Sequence, residues 1–118
     1  MSEEHDAYIM MFNSPLSNKA IYVKVPEDNL NVSVDRLVND TIQELRATGK
    51  PLEADQLNQL YKDHQLFGGE HGTELIEKGD LFSRLWKKQS IVNNIHVHVA
   101  ELSLVSHHSG GSSFFSIL

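Results

Sequence analysis

The chain has 118 residues, 40% of them hydrophobic, which suits one domain built around one core. Sixteen acidic side chains against ten basic ones give a formal charge of −6, and with Lys87-Lys88 as the one adjacent basic pair this argues against a nucleic-acid partner held through phosphates. Cysteine is absent, so disulfides, thiolate metal sites and a cysteine nucleophile are excluded.

Residues 7–12, Ala-Tyr-Ile-Met-Met-Phe, read as a first strand closed by the turn-forming Asn13-Ser14-Pro15. Residues 20–25 then alternate, with Ile21, Val23 and Val25 on one face and Tyr22 and Lys24 on the other, until Pro26 ends the ladder. The short connection between them predicts an antiparallel hairpin. From about Ser33 the period changes: Val34, Leu37, Val38, Ile42 and Leu45 recur every three or four residues behind a polar cap position and an early Asp35. That spacing predicts an amphipathic helix lying on the hairpin, stopped by Gly49 and Pro51. Leu57, Leu60 and Tyr61 carry helical spacing through residues 52–64. Leu66-Phe67 before Gly68-Gly69 reads as a brief strand and a tight turn. Residues 73–76 are short enough for one more strand, and Leu81, Leu85 and Trp86 suggest a helical or turn segment.

The clearest alternation comes last. Ile95, Val97 and Val99 alternate with His96 and His98, which predicts a strand whose aliphatic side is buried and whose histidine side faces out. The chain then becomes small and polar through Ser106-His107-His108-Ser109-Gly110-Gly111, as a flexible arm does. Strands and helices in this order make an α+β domain over residues 7–104, with residues 1–6 and 105–118 expected to be flexible termini.

That order resembles the ubiquitin-like β-grasp family. The matches fall in sequence: an opening hairpin, a helix ending at Gly49-Lys50-Pro51, Asp55-Gln56, then Leu66-Phe67-Gly68-Gly69, Leu75 with Lys78-Gly79 and Leu81, and the closing Ile95-His96-Val97-His98-Val99. The resemblance implies a mixed sheet of four to five strands with one main helix packed on one face, and a final strand lying centrally, parallel to the first. It also implies that the uncovered face receives partners, with His96 and His98 exposed on it near Tyr22 and Lys24. So composed, that face is more polar than is usual in the family.

Gly110 and Gly111 match the family's terminal diglycine, whose lack of side chains lets a carboxylate thread the narrow channels of activating enzymes. Because Ser112 follows, the resemblance implies processing between Gly111 and Ser112 before conjugation, with ubiquitin-like activating and conjugating enzymes and a processing protease as partners. The alternative is a non-conjugated adaptor that binds through its sheet face and tail. Ser116, Ile117 and Leu118 also fit a C-terminal peptide that adds a strand to a partner's groove. The same apolar stretch, Phe114-Phe115-Ser116-Ile117-Leu118, could equally pack back onto an apolar groove of the domain.

His96 and His98 with His107 and His108 offer enough imidazole for zinc, but the pattern fixes no third ligand, and no metal or other cofactor is expected. There is no Gly-x-Ser-x-Gly elbow and no Walker loop, so the expectation is a protein-binding monomer and not an enzyme. No apolar run approaches the roughly 20 residues that span a bilayer, and the opening Met1-Ser2-Glu3-Glu4 is acidic where a signal peptide is basic. A cytoplasmic or nuclear protein without membrane contact is the resulting expectation.

Overall fold

The computed structural model describes residues 5–14 and 18–106. In chain order the elements are β1 (His5–Asn13), β2 (Ile21–Val25), α1 (Val34–Ala47), α2 (Pro51–Asp63), β3 (His64–Gly68), β4 (Glu74–Ile76), a single 3₁₀ turn (Phe82–Arg84), β5 (Lys88–Val92) and β6 (Ile95–Ser106). The architecture is α+β: a mixed sheet ordered β2-β1-β6-β3-β4, with β5 paired to β6 off that path. Twelve-residue β6 is the spine. It runs parallel to β1 from Ile95 beside His5 to Ser103 beside Asn13. Its other edge is shared, with β5 antiparallel along residues 95–99 and β3 antiparallel along residues 103–106.

Local chemistry explains the helices. Ser33 caps α1, its Oγ accepting from the Arg36 amide at 3.1 Å, and Asp35 sits in the first turn where the helix dipole favours an anion. At the far end Lys50 N–H donates to the Leu45 carbonyl at 2.8 Å and Gly49 N–H to that of Arg46 at 3.3 Å. This is a Schellman closure, and Gly49 supplies the left-handed conformation it needs at φ 81°. Pro51 then opens α2, where a missing N–H costs nothing.

Both helices deliver their apolar stripes to one core. Val34, Leu37, Val38 and Ile42 from α1 and Ala54, Leu57 and Tyr61 from α2 meet Met10, Phe12, Val23, Val25, Leu66, Ala100, Leu102 and Leu104 from the sheet. Tyr61 ties the layers together. Its hydroxyl donates to Asp35 Oδ1 at 3.1 Å, Lys78 Nζ donates to its carbonyl at 2.7 Å and lies 4.4 Å from its ring centroid, and its ring meets that of Phe12 edge-on. On the loop that crosses back, Phe82 is fully buried and Lys87 Nζ donates to the carbonyls of Phe82, Ser83 and Leu85.

Three expectations need correction. The sheet has six strands among the described residues, not four to five, because the sequence pattern passes over β5. All five residues of that strand are exposed, and a strand that buries neither face leaves no period-two trace. It is held instead by its turn: Asn93 and Asn94 take φ of 52° and 65°, the two left-handed residues of a type I′ hairpin. Second, the helical layer is two helices, not one main helix, since residues 51–63 form a full helix with its own buried stripe. Third, the sheet takes in His5, Asp6, Val105 and Ser106, which the sequence pattern leaves in flexible termini, because β1 and β6 pair beyond the core's edge.

Candidate functional site

The two sides of β6 decide which side chains the helices cover and which they leave open. Along the strand Ala100, Leu102 and Leu104 are buried. Side chains two apart share a face, so His96 and His98 lie on that same helix-covered side, level with Asp6 and Tyr8 of β1. Ile95, Val97 and Val99 occupy the opposite, open side. The expected assignment is therefore inverted, and the reason is register. The strand is unbroken from Ile95 to Ser106, so one half of it must take the parity the other half requires. Three apolar residues beneath the helices set that parity.

His98 is held on the covered side. Its ring stacks on Tyr8 with centroids 4.6 Å apart and planes 12° apart, and its Nε2 lies 3.0 Å from Asp6 Oδ1, leaving the side chain 14% exposed. Tyr8 in turn meets Phe82 edge-on at 6.3 Å. Among the described residues no group of three or more His, Asp or Glu side chains is placed to hold a metal ion; His107 and His108 lie outside the described residues.

Tyr22 and Lys24 stay on the open side, because Tyr22 pairs with Met11 and Lys24 with Ile9. The four residues expected to form one surface are thus divided, two on each side of the sheet. What replaces the histidines is aliphatic. Ile9 pairs with Val99 and Ala7 with Val97, and together with Met11 they make a half-buried patch at the centre of the open face. Exposed Val92 and Ile95 extend it along the β5–β6 hairpin, and Tyr22, 63% exposed, flanks it on β2. Polar side chains border it: Lys24 on one flank, and on the other Lys88, whose Nζ lies 3.9 Å from Glu101 Oε1, while Asn13 Nδ2 donates to Glu101 Oε2 at 3.3 Å. An apolar centre with a polar rim is how protein interfaces are commonly built. The face is less polar than the sequence suggested. Ile9, Met11, Val97 and Val99 were missed as the residues of the open face, and the parity of Ala100, Leu102 and Leu104 was the signal that could have found them.

Gly110, Gly111 and Ser112, and likewise Ser116, Ile117 and Leu118, lie outside the described residues. The chain reaches them from Ser106 at the end of β6, beside His64 of β3. Among the described residues, titration is perturbed at two groups away from the open face. Burial, then the charge of Asp35 and the hydrogen bond to it, raise the Tyr61 hydroxyl well above its usual range. Burial lowers the Lys87 ammonium. No helix is long and apolar enough to cross a membrane among the described residues. No family model matches the chain, and neither does any curated protein or solved structure.

Proposed function

We propose that the chain is a ubiquitin-like protein of β-grasp type that works in the cytoplasm or nucleus by protein–protein contact, using the uncovered face of its sheet. The observation that carries this reading is the apolar patch of Ile9, Met11, Val97 and Val99 inside its polar rim, on a sheet whose other face carries the two helices. The central parallel pairing of β6 with β1 and the outer order β2-β1-β6-β3-β4 support the family reading. Gly110 and Gly111, four and five positions past the end of β6, support its fuller form, in which a protease hydrolyses the Gly111–Ser112 bond. The new carboxylate then attacks ATP to give an acyl adenylate with release of pyrophosphate, an enzyme thiol displaces AMP, and a target amine displaces the thiol to form the amide.

Tagged chain recovered from its native cells tests both levels. Maturation predicts an intact mass lacking residues 112–118 and higher-mass adducts that Gly111→Ala abolishes; a complete tail without adducts leaves only the adaptor form. The contact reading predicts that Val99→Asp removes the non-covalent partners while far-ultraviolet dichroism stays unchanged. Partners that bind the Val99→Asp chain as well as the parent would remove the open face from the proposal.

A further inference from the structure

A second surface lies on the opposite side of the sheet. Between the first residues of β2 and the two helices opens a groove of about 910 Å³, whose apolar lining includes Ile21, Leu45, Leu57 and Leu60. That is the upper part of the size range that takes in a drug-sized ligand. Nothing in the proposed contact through the open face uses it. We propose that its occupant is a segment of the same chain, residues 114–118, whose Phe114, Phe115, Ile117 and Leu118 are the apolar side chains the contact face leaves without a role.

The exit point of the chain supports a link in cis. Ser106, the last residue of β6, pairs with His64, and His64 Nδ1–H donates to the carbonyl of Leu60 at 2.8 Å. Leu60 lines the groove, so the chain leaves the sheet next to one of its walls. Ile21 on the other side is at the same end of the sheet, since Phe12 is paired both with Ile21 and with Leu102. Only β1 separates β2 from β6, a lateral distance of roughly 10 Å for two strand spacings. The seven residues from His107 to Ser113 span up to roughly 23 Å when extended, enough to bring Phe114 to the groove. All seven are polar or glycine, so the apolar part of the tail begins where the groove comes within reach.

Binding there leaves Val97 and Val99 at the centre of the open face clear, although Tyr22 borders both surfaces, and cutting at Gly111 would empty the groove. The inference holds whether or not that cut occurs. Amide spectra of the full chain and of a chain ending at Gly111 test it. Removal of residues 112–118 is expected to shift the amides of Ile21, Tyr22, Leu45 and Leu60 while leaving Val97 and Val99 in place. A synthetic peptide of residues 112–118 should move them back, and the double change Phe114→Ser, Phe115→Ser in the full chain should reproduce the truncated spectrum. Groove amides that coincide in the two chains would overturn the proposal. So would groove shifts that vanish on dilution of the full chain, which would make a second copy the occupant, and so would peptide-induced shifts confined to the open face.

Discussion

The two halves of β6 carry the same alternation and sit in opposite surroundings. In residues 95–99 the larger aliphatic side chains face the open side, and the covered side holds His96 and His98. In residues 100–106 the aliphatic side chains Leu102 and Leu104 are on the covered side and Glu101 and Ser103 on the open one. One half pairs with an exposed hairpin strand, the other with β3 beneath the helices. Alternation fixes that side chains take turns between two faces. Which face becomes core depends on what lies over the sheet, and here the helices cover the second half more completely.

The sharpest way to break that contrast is to shorten one aliphatic side chain in each half. Leu102 is 1% exposed among Met10, Phe12 and the helical stripes, so Leu102→Ala should cost about 3 kcal/mol through lost burial and the cavity it leaves. Val99→Ala on the half-buried open face should cost about 1 kcal/mol or less. Urea unfolding with unchanged denaturant slope measures both. Equal losses would mean that the open face is covered in the folded protein and that the two halves do not differ.

A smaller effect is expected at His98, where the covered side of the first half is tied down by polar and aromatic contacts in place of a packed core. His98→Ala removes the stack on Tyr8 and the Asp6 partner, and should cost about 1 kcal/mol. It should leave the proposed partner binding through Val97 and Val99 intact, because the ring points to the other side. Loss of binding without loss of stability would return the histidines to the contact surface.

Much of the frame was legible in the residues. Ser33, the stripe from Val34 to Leu45, Gly49 and Pro51 mark both ends and the buried face of α1, and Ile21, Val23 and Val25 mark the inner face of β2. These are local signals, each written in the period of its own element. The sign of β6 was not legible in the same way. Ile95, Val97 and Val99 make a stronger local pattern than Ala100, Leu102 and Leu104, yet the weaker pattern lies where α1 and α2 cover the sheet, and that is a tertiary fact. The β5 hairpin left one local mark, Asn93-Asn94, and it was passed over, since Lys88, Gln89 and Ser90 look like loop. The apolar patch of the open face was lost with the sign of β6, not for want of residues that could form it.

The finest distinction concerns how the covered half is locked, and it can be read from pH. Tyr61 packs edge-on to Phe12, the pairing partner of Leu102, and its hydroxyl is raised by burial, by the charge of Asp35 and by the hydrogen bond to Asp35. A group raised in the fold adds stability below its unfolded value, about 10 for tyrosine, and that stability is lost as the pH climbs beyond it. Lys87 has the opposite sign. Burial lowers its ammonium, so its unfavourable contribution is present at neutral pH and is relieved as the pH approaches its unfolded value of about 10.4. Tyr61→Phe should therefore cost about 1 kcal/mol at pH 7, for one hydrogen bond whose acceptor is left open to water. It should also reduce the fall in stability above about pH 10, measured as unfolding midpoints between pH 7 and 11. A variant whose midpoints fall as steeply as the parent's would mean that the Tyr61–Asp35 bond does not couple α2 to α1, and that the covered half is held by apolar packing alone.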